Sequence, residues 1–263
     1  MALLLVLVLF APLLPLKDPA RSAYLPRQPM FSGENILGTD TNGRDVLARV
    51  AFGTRVSITI GVGAVAFGML IGGALGLYAG YYRNRISGAI SWVFDVLLAF
   101  PALVLALALV AVLAADPATT EAQRNLVIIF ALGLIAVPLL GRIVRGSTLA
   151  WSQREFVLAA RSLGARDLRI MTREVLPNVL PAAFSIALLS VAVAIVAEGA
   201  LSVLGAGTTS ISWGSMIAGG RGDLARMPHV VMVPSVAIFL TVLALNYLGD
   251  IARSRFDVRE SLL

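Results

Sequence analysis

The 263-residue sequence has no cysteine, a single histidine and a single lysine, and each shortage removes a class of chemistry. Without cysteine there is no disulfide, no thiolate nucleophile and no cysteine metal site, and the redox state of the compartment leaves no mark on the chain. His229 has no histidine partner and reads as a helix-entry residue at a membrane interface rather than a metal ligand or triad member. Lys17 stands in "PLKDP", not in the Gly-Lys-Ser/Thr that cradles a nucleotide, so any ATP belongs to another subunit. Charge of either sign is also scarce. Only 14% of residues are charged against 58% hydrophobic, and the mean hydropathy is +0.88, which excludes an ordinary soluble domain and describes a multi-spanning membrane protein. The net charge of +6 is nearly all arginine. Those arginines lie between apolar runs without interleaved aromatics, which argues against a nucleic-acid surface.

What is present is long hydrocarbon. A bilayer core needs about 20 apolar residues in a helix. Six segments qualify or nearly so: Met1 to Leu16, Val56 to Tyr82, Val96 to Ala115, Asn125 to Gly141, Leu180 to Ala197 and Val230 to Gly249. The expected fold class is all-α, one polytopic bundle of about six spans over residues 1–263. The first segment is short and broken by Pro12 and Pro15; lacking a charged leader and a small-x-small cleavage site, it reads as a retained span rather than a signal peptide. Basic residues concentrate in alternate connections: Arg83 and Arg85, Arg142 to Arg173, then Arg253, Arg255 and Arg259. By the positive-inside bias these face the cytoplasm, with both termini, and the long first loop (about 17–55) lies outside.

Within the spans, Gly68, Gly72, Gly76 and Gly80 recur four apart on one helical face, where a second helix can approach closely. Asp95 and Glu198 sit near the ends of apolar runs. A charge at the bilayer centre costs about 2.5–3.5 kcal/mol on the insertion scale, so each is expected at an interface or facing a protein interior.

The same cost keeps the arginine-rich island "REFVLAARSLGARDLRIMTREVLPNVLP" out of the lipid. Phe156, Ala160 and Leu163 recur on one face and Arg154 and Arg161 on another, predicting a short amphipathic helix that Gly164 stops. Asp167 is expected to cap a second helix, with Leu168, Met171 and Val175 on one face, ending at Leu176-Pro177. Such an element fits either anionic lipid or a groove on a cytoplasmic partner; the glycine turn favours a protruding knob. In the outer loop, "GTDTNGRDVLARV" opens with turn residues, including Asp40, Gly43 and Asp45. It continues with Val46, Leu47 and Val50 opposed to Arg44 and Arg49, predicting a helix at the outer interface that supports a gate or a docked protein.

At the island the sequence resembles a known family. "LAARSLG", nine residues, then "EVLP" is similar to the EAA loop of ABC-importer permeases: Ala159, Ala160, Gly164, Leu176 and Pro177 match. Leu158 stands where the family has glutamate and Glu174 where it usually has isoleucine; Glu155, one turn earlier, is the nearest acid that could substitute. "LGTDTNGRDVLARVAFGTRVSI", "FDVLLAFPALVLAL", "EGALSVLGAG", "SWGSMI" and "ALNYLGDIARSRFDVR" extend the resemblance over nearly the whole chain, to the C-type permease of dipeptide, oligopeptide and nickel importers. The cytoplasmic extension usual before the first span is nearly absent, as in a short member or a trimmed start.

The resemblance implies a type I ABC importer permease fold in the bacterial cytoplasmic membrane, and no cofactor bound by this chain. It implies a second, homologous permease, two ATPase subunits or domains holding ATP and Mg, an extracytoplasmic substrate-binding protein and surrounding lipid as partners, and no nucleic acid. It also implies that residues 152–178, with Glu155, Phe156, Leu158, Ala159, Ala160, Leu163, Gly164, Leu176 and Pro177, couple the spans to an ATPase. Two other readings are weaker. A stand-alone ion-coupled transporter would use Asp95 and Glu198 as coupling acids and should show repeated halves with broken midplane helices. An intramembrane enzyme should show a dyad or clustered acids, which the scattered carboxylates do not supply.

Overall fold

The computed structural model describes residues 16–260. The expected first span, Met1 to Leu16, falls almost wholly outside them. The described chain is a helical bundle. Its elements are α1 (Val46–Gly68), a π turn (Met69–Gly73) leading straight into α2 (Ala74–Tyr81), α3 (Arg85–Ala99), α4 (Ala102–Leu113) and α5 (Glu121–Trp151). They continue with α6 (Glu155–Ser162), α7 (Asp167–Ile170), a second π turn (Met171–Val175), α8 (Leu176–Val203), α9 (Trp213–Gly220) and α10 (Pro228–Glu260). Four helical stretches are long and apolar enough to cross a membrane, Val46–Tyr81, Glu121–Trp151, Asp167–Val203 and Pro228–Ala252. The bent pair α3 and α4 makes a fifth if counted as one span.

That pair corrects the expected straight span from Val96 to Ala115. The two helices meet at 88° around Phe100 and Pro101. Pro101 has no N–H to continue a ladder, and its ring pushes Phe100 out of the α region, to φ −80° and ψ 135°. At about 1.5 Å per residue α4 is too short to cross the hydrocarbon alone.

α5 is the central post, with half of its apolar window buried against 28–39% for the other three long stretches. It starts with a capping box, Thr120 and Gln123 exchanging side-chain and backbone hydrogen bonds, and runs on through Pro138. The glycine stripe lies on it as the spacing predicts. A carbon added at Gly68 would meet the Ala136 methyl at 2.6 Å; at Gly72, the Val137 carbonyl oxygen at 2.2 Å; at Gly76, the Gly141 carbonyl oxygen at 2.2 Å; at Gly80, the Arg145 carbonyl oxygen at 2.6 Å. Lipid tails are as apolar as leucine, so helices in a bilayer associate by such close packing rather than by hydrophobic expulsion from water. Gly141 in turn accepts the Phe94 ring of α3.

The bundle has two distinct ends. At one lie the long first loop, the start of α5 and the segment around α9. Arg124 Nε donates to the Gly207 carbonyl at 2.7 Å, Asn125 Nδ2 donates to Ser210 Oγ at 3.0 Å, and Arg27 pairs with Asp223 at 3.4 Å. At the other lie the end of α2 and the arginine island, where Tyr81, Val144, Val157, Ile170, Val175, Val179 and Ala183 form a small core. The main core, including Ile60, Ile128, Leu140, Ile195 and Trp213, fills the space between them.

Gly72→Val drives carbon into the α5 backbone and should cost about 1–3 kcal/mol, the usual range for overpacking. A thermal melt of the detergent-purified protein should show a clearly lowered midpoint. Gly146→Ala, whose added carbon meets nothing within 4 Å, should match the parent.

Candidate functional site

The island is built as a helix, a glycine turn and a second helix. α6 opens at Glu155, where an acid in the first turn complements the helix dipole, and ends in a Schellman turn. The Gly164 N–H donates to the Arg161 carbonyl at 3.0 Å and the Ala165 N–H donates to the Ala160 carbonyl at 3.1 Å. Gly164 takes φ +79°, the left-handed conformation the turn requires, and its α-carbon faces open space.

The face it displays differs from the expected one. Val157, Ile170 and Val175 turn inward and are almost wholly buried against the ends of the spans, with Ala160 half-buried beside them. Phe156, Leu158, Ala159 and Leu163 are exposed, Leu163 to 88%, and Leu168 of α7 joins them at 65%. Phe156 also leans on Trp151, ring centroids 6.2 Å apart, and Arg154 lies over the Trp151 ring. The apolar residues therefore divide into a buried set turned toward the bundle and an exposed set spread around the rest of the helix, Leu158 projecting well away from Phe156, and simple periodicity merges the two.

Two further expectations are corrected. Asp167 does not cap α7; the N-cap is Arg166, without a side-chain hydrogen bond. Its carboxylate instead accepts the Tyr81 hydroxyl proton at 2.7 Å, while Arg161 Nη2 donates to the same phenolic oxygen at 3.2 Å and lies 3.5 Å from the Asp167 carboxylate. Tyr81, the last residue of α2, carries no mark in the sequence that would have picked it out. Nor does the helix end at Leu176-Pro177. The π turn takes up the ladder position Pro177 cannot fill, and Asn178 Nδ2 donates to the Glu174 carbonyl at 2.6 Å, so Asp167–Val203 runs as one stretch with Leu176 half-buried and Pro177 exposed.

The first loop is a compact fold whose turn residues lead, as expected, into a helix at Val46, but that helix is the start of the long α1 rather than a separate element. Asp40 organises it. Its carboxylate accepts the N–H of Asn42 at 2.8 Å and of Arg44 at 3.0 Å, takes Arg44 Nε at 2.8 Å and holds Arg49 Nε at 3.6 Å. Gly43 closes the turn with φ +70°, and any side-chain carbon there would strike the Tyr24 carbonyl at 2.2 Å. Asp45 caps α1, accepting the Ala48 N–H at 2.8 Å. Arg49, expected on an exposed face, is buried at 8% exposure beside Asp40; Arg44 remains partly exposed.

The two acids of the spans are both engaged. Asp95 pairs with Arg142, tying α3 to α5. Glu198 is wholly buried in α8, facing the protein interior as its cost in lipid demands; its Oε1 accepts the hydroxyls of Ser202 and Ser212, each at 2.9 Å, and Ser212 is the N-cap of α9. His229 stands second in α10, buried near the backbone of Gly38. Among the described residues no group of three or more histidine, aspartate or glutamate side chains is placed to hold a metal ion.

Comparison with known proteins agrees with this architecture. Residues 49–261 match the family described as binding-protein-dependent transport system inner membrane component. The chain is 38% identical over 228 residues to the glutathione transport system permease protein of Pectobacterium atrosepticum, covering 86% of this chain and 73% of that one. It is 35% identical over 255 residues to the dipeptide transport system permease protein of Alkalihalophilus pseudofirmus, covering 96% and 81%. In fold it is similar to a chain of the MetNI methionine ABC transporter, with a TM-score of 0.64 at 19% identity over 78% of this chain and 95% of that one. The helical order, the bent pair, the two-ended bundle and the turn-interrupted island thus belong to a member of the binding-protein-dependent transport system inner membrane component family, a permease subunit of an ABC importer.

Proposed function

We propose that this subunit, with a second homologous permease, encloses the path by which dipeptides or longer peptides enter a bacterial cell, and that its island is the peg on which an ATPase subunit acts. ABC importer permeases work with ATPase and binding-protein partners. ATP and Mg are assigned to the ATPase subunits, because this chain has no P-loop. The observation that carries the peg is the set of exposed apolar side chains Phe156, Leu158, Leu163 and Leu168 on either side of the left-handed Gly164, flanked by arginines, on an element anchored in the bundle through Val157, Ile170 and Val175. Leucine at 158, where the family resemblance has an acid, suits a peg that relies on apolar contact. The compact outer loop, with Arg44 partly exposed, is assigned to supporting the outer gate and the docked binding protein.

Relatives named for a dipeptide and for glutathione, itself a tripeptide, favour peptides over the second reading within the family, nickel or another small solute. Uptake of labelled dialanine, a labelled pentapeptide and nickel, measured with the cognate binding protein present, is expected to show peptide uptake. Uptake of nickel alone would overturn the peptide assignment.

On the same reading the island and both termini are cytoplasmic and the loop 16–45 is outside. The cysteine-free background makes this directly measurable. Glu34→Cys should react with an impermeant maleimide in intact cells and Gln153→Cys only after lysis; the reverse pattern would invert the orientation.

For the peg, Gly164→Val forces a β-branched residue into the left-handed region at about 1–2 kcal/mol without any internal clash, and it reshapes the displayed surface. The spans should insert normally while ATPase association weakens or hydrolysis uncouples from uptake, with Gly164→Ala milder. Leu158→Asp should harm assembly more than Glu155→Gln. Normal subunit stoichiometry together with substrate-stimulated hydrolysis in both Gly164→Val and Leu158→Asp would refute the coupling role.

A further inference from the structure

The island is joined to the bundle covalently at two places, through Trp151–Arg154 to α5 and through the π turn to α8. Its contact with the first long helix is of another kind. Among the described residues, the side-chain hydrogen bonds that leave the island for a helix not continuous with it all converge on one atom, the Tyr81 hydroxyl. That oxygen donates to Asp167 Oδ1 at 2.7 Å and accepts from Arg161 Nη2 at 3.2 Å. Arg161 belongs to α6 and Asp167 to α7, so one phenol bridges the helices on both sides of the Gly164 turn and fixes their relation to the end of α2. Arg161 also lies over the Tyr81 ring, 5.9 Å from its centroid. The ring itself is buried in the small core with Val157, Ile170 and Val175.

Behind Tyr81, α2 packs Gly76 and Gly80 directly against the α5 backbone. We propose that Tyr81 is a positioning residue for transport: its hydroxyl clamps the two island helices to α2, so that displacement of the island moves the α1–α2 span together with α5 and α8. The clamp rests on the reading of the island as the ATPase peg. Its chemistry fits a load-bearing tie, because hydrogen bonds to ionised partners are shorter and stronger than neutral ones. Without the hydroxyl the island would still dock and still pull on α5 and α8, but α2 would lag.

Tyr81→Phe removes the tie and keeps the buried ring, so the small core stays filled. In the whole complex, reconstituted with ATPases and binding protein, Tyr81→Phe should retain normal subunit stoichiometry while the amount of labelled dialanine or glutathione moved per ATP falls about tenfold, the weight of one hydrogen bond to a charged partner. Asp167→Ala should resemble it, and the double variant should add little, as for two groups acting through one bond. A second measurement needs no substrate. Spin labels at Arg83→Cys and Arg169→Cys, both exposed positions, report the distance between the end of α2 and α7. It should stay single-valued between the nucleotide-free and ATP-vanadate states in the parent and broaden or split in Tyr81→Phe. An unchanged distance distribution and an unchanged transport ratio in Tyr81→Phe, with Gly164→Val or Leu158→Asp still defective, would overturn the clamp and leave the peg standing; if both of those variants are normal as well, both fall.

Discussion

Everything in this subunit depends on how closely the first long helix lies against α5. Four glycines, one per turn, let the backbone of α1 and α2 touch the carbonyl ridge of α5 from Ala136 to Arg145. In lipid no expulsion of water drives that contact, so its strength comes from the density of atoms brought together and from the absence of any side chain in the way. α5 then serves as the reference for both ends. Its first turn holds the segment before α9 through Arg124 and Asn125, and its last third receives Phe94, pairs with Asp95 and ends at the island. The first loop and the island lie at opposite ends of the bundle because one leads into the start of α1 and the other follows the end of α5, and α1–α2 and α5 pack side by side along their length.

Polar chemistry inside the spans takes two forms. Hydroxyls such as those of Ser185, Ser190 and Thr241 return to a carbonyl of their own helix, whereas Asp95 and Glu198 are used where elements join. Asp95 and Arg142 join the amphipathic α3 to α5. Glu198, Ser202 and Ser212 join α8 to the N-terminus of the short helix α9, whose Trp213 is held in turn by Ser57 and the Val50 carbonyl of α1. The middle of the bundle is left to aliphatic packing.

The sequence made some of this legible and hid the rest for physical reasons. The four-residue glycine spacing announced a helix contact, and Gly164 announced the left-handed turn, because in both cases only the lack of a β-carbon fits. Phe100-Pro101 marked the 88° corner just as plainly, but a hydropathy window averages across a proline and returns one span. Leu176-Pro177 misled in the opposite direction: a π turn can absorb a proline that an ideal α-helix cannot, and no residue pattern distinguishes the two beforehand. Arg49 read as a surface cation because its partner, Asp40, comes back to it only through the folded loop. Tyr81 was invisible for the same reason, since both of its partners lie about 80 residues further along the chain. At the island the periodicity correctly gave a helix but grouped half-buried Ala160 with exposed Phe156 and Leu163, because burial there is set by the ends of the spans and not by the island alone.

At the island, shape and display are carried by different side chains. The side chains that give the island its shape, Val157, Ile170 and Val175, and those it displays, Phe156, Leu158, Leu163 and Leu168, are separate sets, one buried and one exposed. Replacing an exposed side chain leaves the buried set undisturbed, so the surface of the island can be altered without rebuilding the packing that holds it to the membrane half. Leu158, at 55% exposure, belongs to the part whose replacement costs the fold little.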